Sequence, residues 1–132
     1  MNATFHDLQD KHNSINGSGI RNKQELETLW QSFKERQPFF FELVCENGTT
    51  LLIGYGPDSG CVQHSTSDGE PPYLMAANNE TMEDEPFVNF LAGNTATPIP
   101  RRFCLPIDRV KDIVQTFLMD GTRSSAVDWD AI

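Results

Sequence analysis

The C-terminal third of the chain carries a helical apolar pattern that constrains the fold more strongly than any other feature. Apolar residues recur at a spacing of three or four and form one helix face: Ile107, Val110, Ile113, Val114, Phe117 and Leu118. Pro106 suits the first turn of a helix, where its missing N–H costs nothing, and Gly121 suits the left-handed residue that ends one. The segment predicts a strand, an amphipathic helix starting at Pro106, and an extended tail whose Trp129 folds back to close the core.

A second helical pattern lies earlier in the chain and is marked at both of its ends. Asn22 followed by Glu25 matches a capping box, in which side chains satisfy the first free backbone N–H groups. Pro38 prevents this helix from continuing into the next segment. The predicted buried face of the helix comprises Leu26, Leu29, Trp30 and Phe33.

Between the two helical patterns the sequence is typical of an antiparallel meander. Asn47-Gly48 is a strong hairpin signal because it separates two runs of apolar and β-branched residues. The predicted strands cover residues 39–45, 49–55, 61–66, 73–76 and 87–91. We expect one α+β domain over residues 1–132, with an antiparallel sheet of about five to six strands and both helices on one face. Residues 1–20 are polar and are expected to be flexible, with a turn or a flexible link at Asn16-Gly17-Ser18-Gly19.

Negative charge is concentrated in the middle of the chain. The formal net charge is −9, yet the residues outside 37–100 contain ten acids and ten bases. Residues 37–100 contain no Lys or Arg, and their nine acids are Glu42, Glu46, Asp58, Asp68, Glu70, Glu80, Glu83, Asp84 and Glu85. A field of one sign repels nucleic acid and attracts basic partners, although a charge run also suits a solvated surface. We expect no direct binding of nucleic acid.

Residues that could perform chemistry are few. Cys61 and His64 have the spacing of two metal ligands, but on a strand their side chains point to opposite faces, and no second pair stands nearby. Cys45, Cys61 and Cys104 are odd in number and far apart, which favours reduced core thiols over a disulfide framework. We expect no catalytic residue, metal or cofactor. The alternative is a small enzyme or ligand-binding domain with a Cys61/His64 site.

The expected location follows from two further patterns. No apolar run approaches membrane-spanning length, and the first residues lack the basic start and apolar block of a signal peptide. We therefore expect a cytoplasmic protein that does not bind membranes.

The order of motifs resembles one known family. Two successive predicted strands contain Leu52-Ile53-Gly54-Tyr55-Gly56 and Gly60-Cys61-Val62. They are followed by Leu105-Pro106, then by a helix that ends in Asp120-Gly121, and finally by Val127-Asp128-Trp129. Over residues 49–132 this order of motifs resembles that of the immunity proteins of bacterial polymorphic toxin systems. The resemblance is to the first of the numbered Imm families, which includes the DddI-type antidotes to DNA cytosine deaminase toxins. The chain departs from the pattern at Ser124-Ser125-Ala126, where a proline is often expected.

The resemblance implies a binding protein that neutralises a cognate toxin domain, often a nucleic-acid deaminase or nuclease. The charge distribution agrees independently, because an enzyme acting on DNA or RNA has a basic cleft for which an acidic surface would compete. The residues expected to contact the toxin are Asp68, Glu70, Tyr73, Glu80, Glu83, Asp84 and Glu85. An adaptor-like interaction module unrelated to toxins is a third hypothesis.

Overall fold

A computed structural model describes residues 1–77 and 87–132 of the chain. The described elements, in chain order, are β1 (Ala3–Asp7), β2 (Gly19–Ile20), α1 (Lys23–Ser32), β3 (Phe39–Cys45), β4 (Thr49–Tyr55), β5 (Ser59–Thr66), β6 (Leu74–Ala77), β7 (Phe87–Ala92), β8 (Thr95–Pro100), a 3-10 turn (Arg101–Phe103), β9 (Leu105–Pro106), α2 (Ile107–Asp120) and β10 (Asp128–Ala131).

The strands form one sheet with the order β10-β6-β5-β4-β3-β1-β2. β9 pairs with β5, and β7 pairs with β8 and with the start of β3. Each pair is antiparallel except β3 and β7, which run parallel where Phe39 meets Leu91. The predicted α+β class is confirmed, but the predicted strand count is too low. The sheet has ten described strands. The prediction is lower in part because β2, β9 and β10 are too short for their alternation to be visible in the sequence.

The N-terminal segment contributes a strand that the sequence analysis missed. β1 pairs with β3 along its whole length, from Ala3 opposite Cys45 to Asp7 opposite Phe41. Its residues alternate buried and half-buried, with Phe5 fully buried. Because polar residues dominate this stretch, it has no clear period-two pattern of apolar residues. The turn expected near Asn16-Gly17 is present, and Gly17 has a φ of 87°, which favours glycine.

Helix α1 begins as predicted but uses its capping residues differently. The backbone N–H of Glu25 donates to Asn22 Oδ1 at 2.9 Å, so Asn22 is the N-cap. The Glu25 carboxylate accepts from the backbone N–H of Arg21 at 2.9 Å, one residue earlier than a capping box requires. The helix ends at Ser32, well before Pro38.

Helix α2 ends at the predicted glycine and starts one residue later than expected. Gly121 has a φ of 73°, and its N–H donates to the carbonyl of Phe117 at 2.8 Å. Pro106 lies outside the helix as its N-cap, because it pairs with Ser59 in β9. A shift of this size is common at helix ends.

Both helices pack on the same face of the sheet, as predicted. Aromatic rings dominate this core: the Phe33 and Phe41 centroids are 4.9 Å apart, and Trp30 stacks on Tyr55 at 5.6 Å. The sequence assignment of Trp30 and Phe33 to the core is confirmed. Burial of large aromatic side chains of this kind is the main favourable contribution to a domain of this size.

A second, smaller core lies on the opposite face of the sheet beneath the β7–β8 hairpin. Phe90 of β7 packs on Phe40 with centroids 5.4 Å apart. Gly54 makes this approach possible, since a Cβ there would lie 2.9 Å from Phe90 Cδ1 and 2.7 Å from Cys61 Sγ. The hairpin is held at its tip by two hydrogen bonds between Gln9 and Asn94, at 2.6 and 2.7 Å. Within the described residues, the hairpin covers the part of this face around Phe40 and Gly54.

Candidate functional site

Two of the acids predicted to contact a partner lie on the turn between β5 and β6. Asp68 Oδ1 accepts hydrogen bonds from Thr66 Oγ1 at 2.5 Å and from the backbone N–H of Glu70 at 2.9 Å. The hydrogen bonds from Thr66 and then Glu70 lower the pKa of Asp68 below its ordinary value. The turn therefore holds an ionised, exposed carboxylate in a fixed position, with the exposed Glu70 beside it.

Tyr73 joins the same turn to the edge of the sheet. Its hydroxyl donates to the carbonyl of Gly69, and its own carbonyl accepts from the N–H of Ile132 at 2.9 Å. The ring is half-buried, so one part of it remains available to a partner. The structure thus brings Asp68, Glu70 and Tyr73 together on one turn.

The other four predicted contact residues belong to the segment that connects β6 to β7. Glu80, Glu83, Asp84 and Glu85 lie outside the described residues. The chain is described up to Ala77 and again from Phe87, whose side chain is half-exposed.

The turn between β3 and β4 lies beside the turn between β5 and β6 and adds an acid that the sequence analysis did not select. The backbone N–H of Ser67 donates to the carbonyl of Gly48 at 2.8 Å, and the hydroxyls of Thr50 and Ser67 are 3.1 Å apart. Glu46 is exposed on this neighbouring turn. The predicted meander could have indicated Glu46, because alternate turns of an antiparallel sheet lie at the same end of the sheet.

Glu42 was also missed, although it lies on the same side of the molecule. It is the residue of β3 directly opposite His6 of β1 and Leu52 of β4. The alternation of β3 places it on the face away from the helices, where its side chain keeps 31% of its exposure. Glu42 could have been selected from the alternation Phe41-Glu42-Leu43 alone.

The alternative site at Cys61 and His64 is not assembled. Cys61 packs in the small core with Phe90, whereas the His64 ring lies against Phe117 of α2 at 5.4 Å, so the two side chains are on opposite faces as predicted. Burial raises the pKa of the Cys61 thiol to about 12, which keeps it protonated and unreactive at neutral pH. Burial, with a smaller effect of Arg123, lowers the pKa of His64.

The other thiols have the same character. Cys45 and Cys104 are buried, and burial raises the pKa of each to about 11. Over residues 1–77 and 87–132, no group of three or more His, Cys, Asp and Glu side chains is placed to hold a metal ion. In the same part of the chain, no helix has the length and apolar character needed to span a membrane.

Comparison with known protein families shows the family to which the chain belongs. The family model described as "Immunity protein Imm1" matches residues 19–131, from β2 into β10. The chain belongs to the Imm1 family of immunity proteins. No curated protein matches the chain. Membership supports an antitoxin role with a toxin as the partner, and an inhibitor in place of an enzyme.

Proposed function

We propose that this Imm1 protein acts in the cytoplasm by binding and blocking the active site of a cognate bacterial toxin that acts on nucleic acid, as a deaminase or a nuclease. The observation that carries the proposal is the stretch of residues 37–100, which contains nine acids and no Lys or Arg. In an immunity protein, a surface that carries only negative charge is best explained by a positively charged surface on the toxin that it binds.

The physical basis is competition for a basic cleft. Enzymes that act on DNA or RNA bind the phosphate backbone through Lys and Arg side chains. A protein surface that presents carboxylates without bases is attracted to that cleft and occupies the place of the substrate. Long-range attraction of this kind increases the rate of association, while a few buried contacts determine how slowly the complex dissociates.

Inhibition by occupancy needs no chemistry from the immunity protein itself. The protonated Cys61 thiol, on the opposite face from His64, supports a protein without catalytic activity, metal or cofactor. Direct binding to nucleic acid or to membranes is not part of the proposal, since the acidic surface repels the phosphates of both.

The proposed contact residues lie on the β5–β6 turn and on the following segment. The hydrogen bonds to Asp68 keep its carboxylate ionised and fixed, which reduces the ordering cost of binding. Tyr73 is tied to the same turn and offers an aromatic anchor. The full set is Asp68, Glu70, Tyr73, Glu80, Glu83, Asp84 and Glu85.

The test is co-expression with the toxin encoded by the neighbouring gene. Replacing Glu80, Glu83, Asp84 and Glu85 with Lys should abolish protection of the host cell. The association rate with the catalytically inactivated toxin should fall by about tenfold or more at low salt, and its salt dependence should flatten. The matched control replaces four exposed acids on or beside the helices with Lys and produces the same change in net charge: Glu27, Glu35, Asp112 and Asp120.

The control variant distinguishes the effect of where the charges lie from the effect of the protein's net charge. Full protection by the first variant with an unchanged association rate would show that the acids of residues 80–85 are a solvated surface. Equal loss in both variants would show that net charge alone governs binding. Failure of the wild-type protein to bind or protect against this toxin would contradict the proposed function itself.

A further inference from the structure

The sheet face opposite the helices has a covered half and an open half. The β7–β8 hairpin and the 3-10 turn cover the half around Phe40, Gly54 and Cys61. We call the other half the open half-face. It consists of Thr4, His6, Glu42, Val44, Thr50, Leu52, Gln63 and Ser65. Each of these residues is half-buried, as expected for side chains on a sheet face that no further layer of residues 1–77 and 87–132 encloses.

The register of the strands makes the open half-face continuous. His6 lies opposite Glu42, Glu42 opposite Leu52, and Leu52 opposite Gln63, so one row of side chains crosses β1, β3, β4 and β5. A second row, parallel to the first, consists of Thr4, Val44, Thr50 and Ser65. Four strands at their usual separation give a surface roughly 14 Å wide.

The chemistry of the open half-face suits a protein interface. Val44 and Leu52 supply half-buried apolar area, and Leu52 lies at the boundary with the covered half, since it also packs against the small core. Thr, Ser and Gln supply neutral hydrogen-bonding groups, and Glu42 is the charged carboxylate near the middle. His6 Nδ1 lies 3.8 Å from Glu42 Oε1, beyond hydrogen-bond distance, so the carboxylate keeps capacity for a donor from outside. An apolar centre with a polar margin is the usual composition of a protein–protein interface.

The margin of the open half-face is acidic where the sheet ends. Glu46 lies on the β3–β4 turn, and Asp68 and Glu70 lie on the adjoining β5–β6 turn. Residues 39–77, which form β3 to β6, contain no Lys or Arg. The surface therefore offers acids both in its middle and along one edge, and β3 to β6 contribute no Lys or Arg to it.

We propose that the open half-face is the surface on which the basic rim of the toxin cleft docks, with Glu42 near the centre and Val44 and Leu52 as the apolar contacts. This inference rests on the proposed function. It places the centre of the interface on the sheet itself and makes the β5–β6 turn its margin.

Charge selects this occupant over a second copy of the chain. A symmetric dimer about an axis through the middle of the patch would bring Glu42 close to Glu42 of the second copy, which is a repulsive contact. A partner with Lys and Arg around an apolar patch satisfies both parts of the surface, because it pairs with the carboxylates and covers Val44 and Leu52.

The experiment uses two pairs of variants and the inactivated toxin domain encoded by the neighbouring gene. Glu42→Lys is compared with Glu27→Lys, which makes the same substitution at an exposed site on α1. The double variant Thr50→Lys/Gln63→Lys is compared with Gln24→Lys/Thr28→Lys, which adds the same two charges on α1. Thermal unfolding establishes that each variant is folded, and association and dissociation rates are measured for all four and for the wild type.

We expect both sheet variants to bind at least about tenfold more weakly than their α1 counterparts, at equal net charge. Binding of both sheet variants at the wild-type level would overturn the inference while leaving the proposed function intact. Equal weakening within each pair would also overturn it, since the effect would then follow net charge and not position. Absence of binding by the wild-type protein would contradict the proposed function and this inference with it.

Discussion

At the residue scale, a buried carboxylate at the end of β1 forms an ion pair with a partly buried arginine. The Asp7 side chain is fully buried, and Arg36 Nη1 donates to its Oδ2 at 2.7 Å. Its remaining hydrogen bonds come from the backbone N–H groups of Gln9 and Asp10 at 2.9 Å and from Asn13 Nδ2 at 3.0 Å. One carboxylate thus joins β1, the following loop and the segment after α1.

The pKa of Asp7 shows that the hydrogen bonds outweigh burial. Burial alone would raise this pKa, but the hydrogen bonds from Arg36, Asn13 and the backbone lower it below its ordinary value of 3.8. The folded carboxylate therefore keeps its charge to lower pH than the unfolded one. Its contribution to stability is complete above about pH 4 and is lost as the pH falls below that value.

Asp7→Asn should lower the free energy of unfolding by about 3 kcal/mol at neutral pH, because it leaves the Arg36 guanidinium partly buried without its counter-charge. Stability should also depend less on pH below about 4 than in the wild type. Denaturant unfolding between pH 3 and pH 7 measures both effects, with Asp112→Asn on the exposed side of α2 as the control. A variant as stable as the wild type at every pH would contradict this account of Asp7.

The Asp7 interaction could not be predicted from the sequence. Arg36 lies 29 positions after Asp7, and no local pattern joins the two residues. By contrast, the Asn22 cap and the left-handed Gly121 were predictable, because the backbone groups that they satisfy lie within a few residues. Residue-scale predictions succeeded where the physics is local.

At the scale of elements, the best-predicted parts have strong periodicity and marked ends. β3 and β4 occupy the predicted residues, since Asn47-Gly48 fixes the turn between two apolar runs. β2 and β9 were missed, and β10 was predicted as an extended tail without a place in the sheet, because strands of two to four residues are formed by their neighbours in the sheet and not by their own alternation.

β10 provides an element-scale prediction through Trp129. The strand pairs with β6, and the half-buried Trp129 ring lies 6.3 Å from the His64 ring while its Nε1 donates to the carbonyl of Ser124 at 2.9 Å. Trp129→Ala should lower the free energy of unfolding by about 2 kcal/mol, less than the usual cost for a fully buried ring. Thermal unfolding and toxin binding should be measured together.

A conservative substitution completes this test. Trp129→Phe keeps an aromatic ring near His64 and removes the hydrogen bond to Ser124 together with part of the indole's apolar area, so it should retain more of the stability than Trp129→Ala. If Trp129→Ala unfolds at the wild-type temperature but no longer binds the toxin, Trp129 is an interface anchor and not a core residue.

At the scale of the whole molecule, Lys and Arg are absent from one contiguous set of strands. Residues 39–77, which form β3 to β6, contain acids and no Lys or Arg, whereas the two helices carry both signs, with Lys23, Arg109 and Lys111 beside five acids. These strands therefore attract a basic partner without a Lys or Arg of their own to oppose it. The fold therefore converts a bias in the sequence into an oriented surface.

The acidic stretch was visible in the sequence, but its arrangement was not. Asp68, Glu70 and Tyr73 were selected from the sequence, and the structure brings them together on one turn. Glu42 and Glu46 belong to the same side of the molecule only because of the strand register and the pairing of two turns. The alternation in β3 predicts the face on which Glu42 lies, but register depends on contacts between distant segments, so the sequence does not show which residues are its neighbours.

We propose above all that the immunity protein occupies the substrate cleft of its toxin. The most direct test is a displacement measurement with a fluorescent oligonucleotide bound to the catalytically inactivated toxin encoded by the neighbouring gene. The account predicts that added immunity protein releases the oligonucleotide completely, and that the concentration needed rises with the concentration of oligonucleotide. A ternary complex, in which the toxin holds the oligonucleotide and the immunity protein together, would contradict it.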